Sequence, residues 1–155
     1  MTPQIWSLGT YEKWVSITKD STLTNSKKRS GYLCTWIVEV RYDVRSIVVG
    51  DEVFSFAIHS QETKWGKTDF RTAAVLGEKL RHEAIDLGTE VNNALVAYTK
   101  SFGLAFGAID LIITKDDRVI FLEDNPNGQW GWLEETTGVS VSMAFARYLA
   151  ERMKM

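Results

Sequence analysis

Cysteine is almost missing from this chain. A single Cys34 among 155 residues excludes an intrachain disulfide. Its place in the apolar stretch 32–38 reads as a buried, inert thiol, which fits a reducing, cytoplasmic setting. Proline is nearly as scarce: only Pro3 and Pro126 occur, so no proline-rich linker divides the chain. Charge of one sign is also lacking. The formal net charge is −2 with acids and bases interspersed, so there is no footprint for nucleic acid or a membrane surface. No run approaches the ~20 apolar residues of a membrane span, and the opening MTPQIWSLGT lacks the charged and apolar regions of a signal peptide. No repeat of solenoid length occurs. What remains, 45% apolar and 25% charged residues, is an ordinary globular composition, sufficient for one compact domain or two small lobes sharing a cleft.

Several familiar site motifs are absent as well. There is no Gly-x-Gly-x-x-Gly, no Walker A lysine and no Gly-x-Ser-x-Gly elbow. His59 and His82 have no metal-ligand spacing to each other or to Cys34 and read as ordinary polar histidines.

The pattern along the chain predicts strands and helices in alternating blocks. Trp14–Lys19 alternates like a short strand, and 20–31 is a polar loop. Tyr32–Val40 and Val44–Val49 are β-branched strands. Gly50-Asp51 turns the second into Val53–Ile58, an antiparallel hairpin. Ser60–Arg71 reads as a polar, mobile loop, and Thr72–Leu80 is ambiguous. Thr89–Phe102 predicts a helix capped by Thr89, with Val91, Leu95, Tyr98 and Phe102 at helical spacing and Gly103 as its stop. Leu104–Thr114 and Val119–Glu123 predict a second hairpin, followed by a loop through Trp132. A last helix starts near Ser140 or Ser142, with Val141, Ala144, Phe145, Tyr148, Leu149 and Met153 along one stripe. Strands, helix, strands, helix indicate an α+β fold: an antiparallel sheet packed with helices.

The second hairpin carries the sharpest chemical signal. If Asp116-Asp117 form a two-residue turn, partners sum to 233, and Asp110 faces Glu123 within apolar runs. Like charges directly opposed destabilise a sheet, and burying them costs more still. A basic partner, a shared proton or a metal ion would relieve this. Asn125 lies two residues beyond Glu123 and so shares its face, whereas Asp124 points away. Two carboxylates and an amide oxygen are a hard donor set suited to Mg2+. Neutralisation by Arg41 or Arg45 is the competing reading. Those arginines, four apart on an extended chain, share a face and could instead hold phosphate oxygens. Asp69 and Arg71 could be a local ion pair. Lys64 and Lys67 read as solvated. Trp130 and Trp132 either wall a pocket or anchor their loop on the core.

Taken together, these blocks resemble a known family. Phe121-Leu-Glu-Asp-Asn-Pro-Asn-Gly-Gln-Trp-Gly-Trp-Leu-Glu134 resembles the metal-binding segment of ATP-grasp ligases. It is most similar to the branch that cross-links ribosomally made peptides, the microviridin or graspetide maturases. Gly103–Ile113 is similar to the strand supplying that family's first metal aspartate. Val44–Phe54 is similar to its phosphate-arginine hairpin, and Asp69-Phe70-Arg71 to its Asp-x-Arg element. The resemblance runs from about 32 to 149. It departs at Thr35, where related ligases often carry glutamine, and at Phe70, which replaces a tryptophan.

The resemblance implies the C-terminal half of an ATP-grasp fold, with ATP and Mg2+ as cofactors. Asp110, Glu123 and Asn125 would bind the metal, and Arg45 would act as the catalytic, phosphate-contacting residue. Trp36, Ile37 and Val38 would form the adenine hinge, Lys19 would match a phosphate lysine, and Asp69 and Arg71 would bind substrate. It implies one ATP-grasp portion, with 1–31 a lid remnant, 32–155 the nucleotide and metal core, and the preceding domain absent. The expected activity is ADP-forming ligation through an acyl phosphate, making side-chain esters or amides in a precursor peptide. The expected partners are that peptide and a second copy in a homodimer, not nucleic acid or membrane. A nucleotide- or leader-binding module without turnover, and a ligase for an amino acid or small molecule, are the alternatives.

Overall fold

The computed structural model describes residues 5–7, 39–66 and 70–154, excluding the side chains of 5–7 and 72–74. The elements in chain order are β1 (Ile5–Ser7), β2 (Val40–Val49), β3 (Glu52–Ile58), α1 (Phe70–Val75), β4 (His82–Ile85), α2 (Thr89–Ser101), β5 (Phe106–Thr114), β6 (Val119–Asn125), α3 (Gly131–Thr137) and α4 (Val141–Arg152). Six strands form one sheet in the order β1-β6-β5-β2-β3-β4. Every neighbouring pair is antiparallel except β1, which lies parallel to β6.

The sheet is covered on both faces, which is why its central strands are apolar nearly throughout rather than alternating. On one face Val44, Val48, Ile109, Leu111, Ile113 and Phe121 pack against Val91 and Leu95 of α2. On the other, Ile47, Val49, Phe56 and Ala108 pack against Leu133 of α3 and Val141 and Ala144 of α4. Packing, not capping, holds α2. Its N-cap is Gly88, at φ 86° and without a side-chain cap, rather than the expected Thr89. A cap is worth about 1 kcal/mol, whereas burying Val91 and Leu95 contributes roughly 1.5–3 kcal/mol each. Phe102, expected on the buried stripe, is 63% exposed, as are Leu149 (58%) and Met153 (88%) at the end of α4.

The first hairpin forms as expected: Val49 pairs with Glu52 across Gly50-Asp51. Gly50 is required there, because its φ is 61° and a Cβ would lie 2.6 Å from the Tyr148 ring. Other expectations are corrected. Val40 belongs to the same continuous strand as Val44, not to a separate one. The strand β4 and the short helices α1 and α3 emerge from stretches read as loop, ambiguous or unassigned. The predicted strand Trp14–Lys19, the loop 20–31 and most of Tyr32–Val40 lie outside the described residues.

Candidate functional site

Register places the site. Arg45 of β2 pairs with Asp110 of β5, and Asp110 pairs with Glu123 of β6. The three side chains thus form one row across three neighbouring strands. The opposed acids were expected, but not the way the chain reaches them. The turn is wider than two residues: Thr114 N donates to Arg118 O at 3.0 Å, and Asp117 takes a φ of 61°, which aspartate tolerates better than most. Next to the turn, partners therefore sum to 232 (Ile113 with Val119, Leu111 with Phe121), and a bulge between Asp110 and Leu111 restores the pairing with Glu123. The bulge adds Leu122 to one strand only.

A tight turn follows the row. Asn125 Oδ1 accepts from Asn127 N at 2.9 Å, and Asn125 O accepts from Gly128 N at 3.1 Å. Gly128 packs so closely on Ala108 that a Cβ would lie 2.3 Å from the alanine methyl. Ala108 and Asn125 are register partners, so this glycine lets the turn fold back over the strand pair holding the acids.

Of the three remedies for opposed acids, the structure contains the basic partner. Arg45 Nε and Nη2 donate to the two Asp110 oxygens at 2.5 and 3.0 Å, and Nη1 donates to Gln129 O at 3.3 Å. Both residues are buried, at 6% and 5% exposure. Arg71 Nη2 donates to Asp110 Oδ2 at 2.8 Å and to Glu123 Oε1 at 3.3 Å, so one guanidinium spans the two acids. These last groups are open to solvent: the Arg71 and Glu123 side chains are 54% and 59% exposed. Burial pushes the Asp110 carboxyl above the ordinary carboxylate range, and Arg45, then Arg71, pull it back.

Phe70 and Trp132 stand behind Arg71. The Arg71 guanidinium lies 5.0 Å from the Phe70 ring centroid, and Trp132 lies 6.5 Å beyond Phe70. The two tryptophans therefore divide the roles offered for them. Trp130 anchors the loop on the core, stacked 4.6 Å from Phe145, while Trp132 backs the wall of the site.

A cleft of about 420 Å³ opens over the acids, lined by Asp43, Gln61, Phe70, Arg71, Asp110 and Glu123 among others. Asp43 and Gln61 escaped sequence reasoning, although Asp43 lies two residues before Arg45 on the same strand face. Arg45 does not line the cleft; it lies beneath it. Arg41 is not part of the site either. A register shift between Val40 and Tyr42 breaks the expected four-residue spacing, and Arg41 instead pairs with Asp117 at 2.6 Å and Lys115 O at 2.9 Å. Asp124 points to the opposite face, where its Oδ1 is buried without a partner among the described residues. Burial, then Asp110, raises its carboxyl.

His82 differs from the ordinary polar histidine expected. Its ring packs edge-on to Trp132 at 4.9 Å, both nitrogens are buried without partners among the described residues, and burial, then His59, lowers its pKa. Lys19, Trp36, Ile37, Val38 and Asp69 lie outside the described residues.

The donor set suits a hard divalent cation. Asp110 and Glu123 converge on one guanidinium, and Asn125 follows on the same strand face with its amide oxygen fixed by the turn. No group of three or more His, Cys, Asp or Glu arranged to hold a metal ion occurs among the described residues. Two carboxylates and an amide, completed by phosphate oxygens and water, match the sparse protein ligation that Mg2+ prefers.

Comparison with known proteins agrees with the fold. A family profile described as the RimK-like ATP-grasp domain matches residues 32–149. Among solved structures, the macrocyclase MdnC bound with precursor peptide MdnA, from Microcystis aeruginosa MRC, is 33% identical, with 74% of this chain and 34% of that one covered and a TM-score of 0.60. A RiPP-associated ATP-grasp ligase from Chryseobacterium gregarium, in complex with ADP and a leader and core peptide, is 27% identical over the same shares, with a TM-score of 0.65. The ATP-grasp ligase PsnB, complexed with minimal precursor, Mg and ADP, is 26% identical over 73% of this chain and 34% of that one, with a TM-score of 0.55. The chain thus spans about a third of the length of these ligases. No curated protein matches it. With some three-quarters of its length matched by the profile, the chain belongs to the RimK-like ATP-grasp family.

Proposed function

We propose that this chain is the nucleotide- and metal-binding part of an ATP-grasp ligase that cross-links side chains of a ribosomally made peptide. In this reading residues 32–155 are the core, 1–31 belong to the lid, and the reaction runs in the cytoplasm. The observation that carries the proposal is the row of Arg45, Asp110 and Glu123 under an open cleft, with Arg71 at its wall.

An oxygen of an Asp or Glu side chain in the peptide attacks the γ-phosphorus of ATP, and ADP leaves. A Ser or Thr hydroxyl, or a Lys amine, then attacks the acyl carbon. Phosphate departs and the nucleophile's proton passes to solvent. Such chemistry needs positioning and charge neutralisation rather than a protein nucleophile. Asp110, Glu123 and Asn125 would hold Mg2+, which when bound neutralises phosphate charge. Arg45 fixes the Asp110 carboxylate by two hydrogen bonds. With Gln129 O, three of its five guanidinium N–H groups have partners among the described residues, and its positive charge would lie beneath the phosphates. Arg71, the exposed guanidinium, receives the peptide carboxylate by a charge-assisted contact. Asp69 would complete that contact, Lys19 would meet phosphate, and the backbone of 36–38 would meet adenine.

Calorimetric titration of ADP with and without Mg2+ tests the site. Wild-type protein should bind ADP at least tenfold more tightly with Mg2+. Glu123→Gln, at an exposed position, should keep the fold and lose that enhancement. An unchanged Mg2+ effect in the variant would refute the ligand role. Release of ADP only with a peptide carrying both an acid and a Ser, Thr or Lys tests the substrate class; turnover on a free amino acid would favour the small-molecule alternative.

A further inference from the structure

We infer that Arg71 and the divalent cation compete for the same two carboxylates, so that cation binding releases Arg71 to capture the substrate's acid. The inference rests on the metal-site reading above and adds an order to it. One nitrogen, Arg71 Nη2, spans Asp110 Oδ2 and Glu123 Oε1. These two oxygens face a common point from adjoining strands, and the guanidinium lies there. Arg45 Nε holds the other Asp110 oxygen, and Arg45 Nη2 shares Oδ2 with Arg71, so both oxygens of this acid already accept from guanidinium groups.

Charge points the same way. Arg45, Arg71, Asp110 and Glu123 sum to zero as they stand. A dication added beside Arg71 would bring three positive charges onto two carboxylates, alongside Arg45, and like charges at such separations repel strongly where solvent is partly excluded. The guanidinium is the mobile party. Its side chain is 54% exposed, whereas the Arg45 side chain is 8% exposed. It extends from α1, a helix of only six residues, over the face of Phe70. Displaced from the acids, it stays at the cleft wall, which it lines with Asp43 and Gln61. A peptide carboxylate entering the cleft then replaces the contacts to Asp110 and Glu123 that Arg71 has given up. Cation and substrate acid therefore bind with positive coupling, and each must raise the other's affinity by the same factor.

The test is Mn2+ titration by electron paramagnetic resonance on wild type, Arg71→Gln and Glu123→Gln, with and without a glutamate-containing peptide. If Arg71 competes, Arg71→Gln binds Mn2+ about threefold to tenfold tighter than wild type, the worth of one or two exposed ion pairs. The peptide tightens Mn2+ binding in wild type but not in that variant. Equal or weaker Mn2+ binding by Arg71→Gln, with Glu123→Gln impaired, overturns the exchange and leaves the metal site standing. Identical binding by wild type and Glu123→Gln removes the metal site, and the inference falls with it.

Discussion

Replacing Arg45 by methionine should expose how much this buried pair matters. The substitution keeps an unbranched apolar stem and removes both hydrogen bonds to Asp110, whose exposure is only 5%. Breaking a buried ion pair from one side costs about 3–5 kcal/mol, because the remaining charge stays desolvated. Arg71 still reaches Asp110, but an exposed partner returns at most about 1 kcal/mol. The expected loss is therefore about 2–4 kcal/mol, a large share of a total stability of roughly 5–15 kcal/mol. With a urea slope of about 2 kcal/mol/M, the unfolding midpoint at pH 7 falls by about 1–2 M. Burial already raises the Asp110 carboxyl, and Arg45 is the largest influence opposing it. Without Arg45 the folded state takes up a proton at higher pH than the unfolded chain. The deficit is then greatest above the raised value and shrinks as pH falls through it. Adding Asp110→Leu should restore most of the loss, since a buried pair exchanged for apolar groups is often neutral or better. A single variant as stable as wild type, or a double variant no better than the single one, would refute this account.

Two further substitutions test buried groups that the proposed chemistry does not use. Asp124→Val removes a carboxyl whose Oδ1 is buried without a partner among the described residues and whose pKa burial raises. It should stabilise by about 1 kcal/mol or less after solvent screening above the raised value, and the gain should fade as pH falls through it; urea unfolding at pH 8 and at successively lower pH would show both. His82→Leu deletes two unpartnered buried nitrogens at the cost of the edge contact with Trp132, for a net gain of about 0–2 kcal/mol near pH 7.5. Because burial lowers the His82 pKa, wild type should lose stability as pH falls below the ordinary imidazole value, about 6.5, and the variant should lose less; parallel acid losses in the two proteins would contradict the assignment.

The parts legible in the sequence were those with a strong period or a rare composition. The first hairpin, α2, the two strands bearing the acids and α4 each left such a trace. The acids themselves were conspicuous because charge seldom interrupts runs like Ala108-Ile109-Asp110-Leu111-Ile112. Other parts left none. The strand β4 is a four-residue edge with exposed Glu83 and Ala84, too short for alternation to stand out. The helices α1 and α3 span six and seven residues, under two turns, and packing on Phe70 and Leu133 decides them rather than propensity. The pairing of Asp110 with Glu123 was reached through two offsetting departures, a longer turn and a bulge, neither of which has a residue signature here. The bridging position of Arg71 depends on where α1 lies against the sheet, a long-range matter that local pattern does not encode.

The extra residue on β6 has an outcome of its own. A regular strand sends successive side chains to opposite sides, so it cannot set an oily group and an acid side by side. Leu122 and Glu123 nonetheless both line the cleft, at the point where the ladder slips and Leu122 is left without a register partner. The carboxylate that meets solvent thus has a hydrocarbon shoulder. Water thinned on that flank would make each charge brought into the cleft count for more than it would on an open sheet.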